Sequence, residues 1–390
     1  MRQHFLLDEG VTFINHGAFG ATPKPVLEAA ARVRHELERQ PVRFFEQTYE
    51  GLLEQARAEV ARFVGARPDD LAFVPNTTTG VNAVLGSLEL LPGDVILTTD
   101  HAYNACKNAV DFVARGAGAT VEVVRIPLPI TDSEEVVERV LAAATAHVKL
   151  AMIDHVTSQT GLVFPIERIV STLKERGIDT LVDGAHAPGM VPMRVAELGA
   201  AYYVGNFHKW VCAPKGAAML WVRADRQSRL HPTTISHGYN SSRDRSRFLE
   251  EFDWTGSIDP SPYLATPEAI RFVGSLLPGG WDAVYARNRA LALTARRMLE
   301  GALGVAPLAP ESMIGSLASV SLPDGAPDAS TVPPLEPLHR ALADQHGVEV
   351  PVFVWPAPPK RLIRISAHLY NTEQDYEALV RALDVALRCA

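Results

Sequence analysis

The chain has 390 residues and a formal net charge of −8, from 37 basic and 45 acidic side chains. Hydrophobic residues make up 47% and charged residues 21%, a globular composition rather than a disordered or fibrous one. That length exceeds one simple core and points to two domains, and a mildly acidic chain gains little from a phosphate backbone, so nucleic acid is set aside as a partner.

From residue 70 onward, apolar runs of strand length alternate with helical patterns. Strands are expected at 70–74, 95–98, 120–125, 149–153, 180–182, 201–204 and 217–222. Helices are expected at 81–90, stopping before Pro92-Gly93, and at 104–115, 134–144 and 165–176. Repeated strand–helix units imply an α/β fold with a mostly parallel sheet and helices on both faces. The pattern changes after about residue 247. Helices at 267–276, 281–303 and 372–387 then accompany strands at 315–322 and 361–366, with proline-rich loops at 322–337 and 354–359. The expected division is a large domain over 15–250 and a smaller α+β domain built from 1–14 and 251–390.

Cys106, Cys212 and Cys389 are odd in number and show no metal-ligand spacing, so they read as free thiols in a reducing compartment. The opening MRQHFLLDEG has no apolar stretch followed by a small-residue cleavage site. The apolar runs are far shorter than a membrane span. The expectation is a cytoplasmic protein with no metal and no membrane association.

In doubly wound sheets, ligands sit beyond the carboxyl ends of the strands. The polar clusters 76–79, 100–104, 157–160 and 183–186 all fall just after expected strands. The strongest signal is Asn206-Phe207-His208-Lys209-Trp210, followed by Pro214-Lys215-Gly216. A lysine in such a loop is ordinarily solvated. Here Val182-Asp183-Gly184-Ala185-His186 places an acid after another strand, facing the same crevice. Pyridoxal phosphate chemistry requires that pairing: an amine for the Schiff base, and a carboxylate that keeps the ring nitrogen protonated so that the ring can take up a carbanion's electrons.

The stretch resembles the aminotransferase class V group of fold-type I pyridoxal phosphate enzymes, and within it the isopenicillin N epimerase-like branch, which also holds C–S lyases. The likeness runs from Phe13-Ile14-Asn15-His16-Gly17 to Arg364-Ile365-Ser366-Ala367-His368-Leu369-Tyr370-Asn371. It implies the fold-type I transferase fold with pyridoxal 5′-phosphate as cofactor. Lys209 matches the Schiff-base lysine, Asp183 the partner of the ring nitrogen, and His186 a neighbour of the ring and its O3′ edge. Thr77 and Thr78, opening a helix after a strand, match the phosphate contacts, with His208 reaching the same phosphate. Ser158 aligns with the O3′ contact, where desulfurases carry Asn.

From Asp100-His101-Ala102-Tyr103-Asn104, an aromatic ring stacks on the cofactor in relatives. His101 is favoured for stacking and Tyr103 for the substrate side, with the reverse assignment open. Ser257, in Asp253-Trp254-Thr255-Gly256-Ser257, resembles a residue reaching the neighbouring subunit's phosphate, which implies a homodimer with shared sites; an ordinary interdomain turn is the other reading. Arg364 matches the arginine that grips the substrate α-carboxylate. Arg43 is a second carboxylate candidate, and Asn15 with His16 would line the entrance.

Desulfurases carry a nucleophilic cysteine shortly before this arginine, and residues 348–355 hold none, which sets desulfurase activity aside. The implied activity is Cα deprotonation of an amino-acid substrate. Epimerisation comes first, C–S β-elimination close behind, and transamination third. A catalytically silent pyridoxal phosphate-binding protein is the reading from another class.

Overall fold

The computed structural model describes residues 1–327 and 336–388. Cys389 and residues 328–335 of the proline-rich stretch 322–337 lie outside these described residues. Among them, no helix is long and apolar enough to cross a membrane.

A short strand β1 (Thr12–Phe13) precedes the main sheet. That sheet is built from β2 (Leu71–Val74), β3 (Val95–Thr99), β4 (Thr120–Val124), β5 (Val148–Asp154), β6 (Asp179–Asp183), β7 (Tyr202–Asn206) and β8 (Ala218–Val222). Its seven strands lie in the order β2-β8-β7-β6-β5-β3-β4. The ladders β7-β6-β5-β3-β4 are parallel, while β8 runs antiparallel to both β2 and β7. The mostly parallel sheet is therefore as expected, with one reversed strand near its edge. The chain enters β8 from β7 through the short connection that carries Lys209, and so short a link can join only antiparallel neighbours.

Period-2 alternation divides the sheet into two buried faces. Leu71, Phe73, Ala151, Ile153, Val182 and Tyr203 point into the larger core. Ala72, Val74, Leu150, Met152, Leu181 and Val204 point the other way. The helices Thr77–Gly86, Asn104–Ala117 and Arg247–Asp253 cover that second face. Both faces of every central strand are apolar, as a sheet covered on both sides requires.

Two helices of 16 residues, Lys24–Arg39 and Tyr49–Val64, fall where the sequence reading assigns no element. The first buries only Val26 and Ala30, so its apolar stripe is thin. The second buries Leu53, Ala56, Val60, Ala61 and Val64, a spacing that is legible as a helical face. A third difference concerns Ser261–Ser275, which begins six residues before the expected start at Pro267 and carries that proline in its interior.

The C-terminal part contains β9 (Leu317–Leu322), β10 (Val348–Glu349), β11 (Val352–Val354) and β12 (Arg361–Ser366). β11, β12 and β9 form an antiparallel sheet, and β10 pairs with β1. The N-terminal segment is thereby held by the end of the chain. Ser366 N–H donates to Ile14 O at 2.9 Å and Gly17 N–H to Ser366 Oγ at 3.0 Å. His16 Nδ1 lies 2.7 Å from the Tyr370 hydroxyl.

Candidate active site

A cavity of about 160 Å³ opens at the carboxyl ends of β5, β6 and β7, on the face covered by Thr77–Gly86 and Asn104–Ala117. Asp154, Asp183 and Asn206 are the last residues of their strands and all line it. Lys209 enters from the loop after β7, between the buried anchors Phe207 and Trp210.

The Lys209 backbone is fixed by residues nearly two hundred positions earlier. His16 Nε2–H donates to Lys209 O at 3.0 Å. Gly20 passes so close that a Cβ there would lie 2.0 Å from His208 O, and its φ of +71° also suits glycine alone. His16, Cys212 and His368 converge behind the lysine. They make a poor metal site, because His16 Nε2 is already bonded to the lysine carbonyl and the two imidazoles stack at 14° instead of pointing at one ion.

At the side chain, Lys209 Nζ lies 2.9 Å from His186 Nε2. Trp210 Nε1–H donates to His186 Nδ1 at 3.4 Å. That bond leaves the His186 proton on Nε2, so the lysine amine must accept and is neutral. The electrostatics agree. Burial, and then the Arg364 charge, bring Lys209 down to about 7. Burial first, and then Lys209, hold His186 well below the usual histidine range.

Asp183 is 3% exposed. Its Oδ1 accepts from Ala185 N–H at 3.0 Å and its Oδ2 from the Cys106 thiol at 3.3 Å. Burial raises its carboxyl, against the pull of these donors and of Lys209.

At the other end, Asn76 caps the helix Thr77–Gly86 through Thr79 N–H at 2.8 Å. Thr77 N–H donates to Asn206 Oδ1 at 3.0 Å, while the buried Thr77 hydroxyl has no partner among the described residues. Thr78 and His208 line the same end. His208 Nδ1 is held by Ala217 O at 3.3 Å, which leaves Nε2 toward the cavity's polar end. Burial, and then Lys209, keep its imidazole down at about 4.

Pyridoxal phosphate fits these residues. An unpartnered buried hydroxyl at a capped helix N-terminus suits a phosphate, and a neutral buried amine opposite a buried carboxyl suits the aldehyde and the ring nitrogen. Thr77, Thr78 and His208 would hold the phosphate, Lys209 the aldehyde carbon and Asp183 the ring nitrogen. Ser158 lines the cavity as well.

Arg364 stands on β12 beyond Ser158, donating through Nη1 to Ser158 O, with its guanidinium 5.1 Å from the Phe353 ring centroid. Its Nε is buried without a partner. Burial draws it down to about 10, so it remains a cation. Asn15 does not line the cavity. It bridges Arg364 Nη2, at 3.5 Å, and Glu349 Oε1, at 2.8 Å, and so orients the arginine.

Besides Asn15, three placements differ from expectation. His101 is off the cavity wall: Nδ1 meets Thr160 Oγ1 and Nε2 donates to Ile126 O, both at 2.7 Å, and its ring packs on Trp355. Tyr103, 48% exposed, lines the cavity in its stead. His101 is therefore not placed to stack on a cofactor in this cavity, and Tyr103 is the aromatic residue of this turn that lines it. Two good hydrogen bonds hold the His101 ring inside the fold. Arg43, exposed at the end of Pro41–Arg43, faces a different surface hollow with Glu36, Arg39 and Thr48. Within one chain it is not part of this site. Ser257 is also exposed and outside this chain's cavity.

The sequence reading gives no role to Asp154, Cys106, Asn206 or Phe19, all on the cavity wall. The missed signal for Asp154 is parity: Leu150, Met152 and Asp154 alternate onto one face, as Leu181 and Asp183 do.

A model of the aminotransferase class-V family matches residues 15–379. The isopenicillin N epimerase of Amycolatopsis lactamdurans is 36% identical, over 98% of this chain and 96% of its own length. A putative L-cysteine desulfhydrase of Oryza sativa is 31% identical over 97% of this chain and 83% of its own. Among solved structures, a variant of C-DES with glycine covalently linked to the PLP cofactor superposes with a TM-score of 0.80. It covers 98% of this chain and 99% of that one at 21% identity, a likeness of fold.

Proposed function

This chain belongs to the aminotransferase class-V family, and from that premise we propose that it is a pyridoxal phosphate-dependent amino-acid epimerase that works by moving the proton at Cα. The observation that carries the reading is the neutral Lys209 amine, buried beside His186 and sharing one cavity with Asp183. The bound cofactor supplies an electron sink for negative charge at the substrate α-carbon. Everything else is done by side chains. Asp183 holds the positive charge at the ring nitrogen. Arg364 orients the amino acid by its α-carboxylate, so that the Cα–H bond can stand across the ring plane. Lys209, as a free amine beside the substrate, would take the α-proton.

Epimerisation needs a second group that can return a proton, and Tyr103 lines the same cavity. Elimination needs only Lys209 and a leaving group. The epimerase relatives, at 36% and 34% identity, stand above the desulfhydrases at 31%, which favours epimerisation with C–S lyase activity as the second reading. Chiral and mass-spectrometric analysis of products from a panel of L-amino acids and cysteine conjugates separates them. D-enantiomers support the epimerase; a keto acid with ammonia and a released thiol gives the lyase, and a new amino acid from an added keto acid gives the transaminase. A yellow protein whose spectrum no amino acid changes would leave a silent binder.

Arg364→Lys keeps the charge and loses the planar fork. The cofactor's visible band should persist, while amino-acid affinity falls by about 1.5–3 kcal/mol, the range for hydrogen bonds to a charged group. Spectral titration with substrate reads both. Unchanged affinity would move the carboxylate away from Arg364.

We further propose a symmetric homodimer in which Ser257, exposed here, reaches the partner's phosphate. Sedimentation at assay concentration should give an active dimer; an active monomer would remove Ser257 from the site. The buried free thiols Cys106 and Cys212 support a cytoplasmic location, which cell fractionation tests. The pairing of β1 with β10 supports the division of 15–250 from 1–14 with 251–390.

A further inference from the structure

The ring-nitrogen end of the cavity holds more acid than the proposed reaction uses. β5 ends at Asp154 and β6 at Asp183, and the two are register partners in a parallel ladder, so their side chains leave the sheet on the same face. Each is 3% exposed and each lines the cavity. Their surroundings are unequal. Asp183 receives Ala185 N–H and the Cys106 thiol. Among the described residues, no other residue donates a hydrogen bond to the Asp154 carboxyl.

Two buried carboxyls on adjacent strand ends cannot both be ionised, since neither has water to screen it. The proton settles where there are fewest donors. The facing groups do not change the order. Lys107 and Cys106 face the pair from Asn104–Ala117, and Lys209 from the loop after β7. Of the two lysines, Lys209 bears on Asp183 and Lys107 on Asp154. Burial, and then the charge of Asp183, raise Asp154 well above the usual carboxylate range, and burial also pushes the Cys106 thiol up.

We propose that Asp154 is a positioning residue for Asp183: a neutral carboxylic acid that shares one negative charge with it and takes that charge over when Asp183 is removed. The inference rests on the reading of Asp183 as the ring-nitrogen partner. One anion then faces one cation at that end of the cavity, and the loss of either carboxyl is partly covered by the other. Removing Asp183 takes away the charge that keeps Asp154 protonated, so Asp154 ionises in its place.

Infrared spectroscopy of the protein with 13C-labelled aspartate tests this at pH 7, first without cofactor. The expected result is an isotope-shifted carbonyl band of a protonated acid, absent in Asp154→Asn and also absent in Asp183→Asn. A band that persists in Asp154→Asn, or no band in the unmutated protein, overturns the proposal; the unmutated measurement stands even where a variant does not fold. The second readout is the 15N shift of cofactor labelled at the ring nitrogen. Asp183→Asn should keep a partly protonated nitrogen, and Asp183→Asn with Asp154→Asn a deprotonated one. Equal shifts in the single and double variants also overturn it. Failure of the functional reading looks different: no borohydride-sensitive visible band forms on the unmutated chain, while the infrared result is unaffected.

Discussion

Lys209→Ala is expected to leave a folded protein that holds no cofactor covalently. The unmutated chain should show a visible band that borohydride reduction removes, with the added mass on the peptide containing Lys209; the variant should show neither. Turnover should fall by at least ~10³-fold, because both the attachment point and the proton-moving base at Cα are lost. The other lysine of this loop, Lys215, cannot substitute: its Nζ donates to Gly20 O at 2.9 Å, and it is absent from the cavity wall. A reducible adduct retained by the variant would mean that another lysine is the anchor. The same residue sets a pH dependence. Only the neutral amine attacks an aldehyde, and burial lowers Lys209 to about 7. Cofactor uptake by the apoprotein should therefore speed up as pH rises through about 7 and level off above it. A rise centred near the ordinary lysine range would contradict the buried, neutral amine.

Asp183→Asn carries the second large effect. The amide is nearly the same size, its oxygen can keep the Ala185 N–H contact and its N–H can turn to the Cys106 sulfur, so the fold should survive. What is lost is the carboxylate that stands directly opposite the ring nitrogen; the charge that Asp154 takes up lies on the neighbouring strand and covers the loss only in part. Turnover should drop at least ~100-fold, comparable to removing one strong electrostatic contact in a dry site. Circular dichroism and steady-state kinetics on the same preparation check both halves. Near-normal turnover in the folded variant would show that the electron sink does not depend on this carboxylate.

Much of this was legible in the chain because strands of a covered sheet are apolar on both faces and end in polar residues. Each of β2 to β8 lies within two residues of its expected bounds. The same rule places Lys209, Asp183, Thr77 and His186 at one end of the sheet from the sequence alone. Register was not legible. That Asp154 stands beside Asp183 depends on β5 and β6 being neighbours in phase, which a strand pattern does not encode. Nor was the choice between His101 and Tyr103, two residues apart in one turn. Their placement depends on Thr160 and Ile126, which take up the His101 nitrogens from other parts of the chain. Arg43 illustrates the opposite error: residue type suggested a carboxylate ligand, and its helix turned it to another surface.

The clamp between the first and last parts of the chain has a consequence for biosynthesis. Residues 14–17 leave the ribosome early, but the groups that hold them, Ser366 and Tyr370, are separated from them by about 350 positions. At ~5–20 residues per second that is a wait of roughly 20–70 s. During that interval the main sheet can form while the backbone of Lys209 still lacks its restraint from His16. The nascent chain should therefore acquire its sheet well before it can capture a cofactor, and release from the ribosome, rather than sheet formation, should mark the onset of colour.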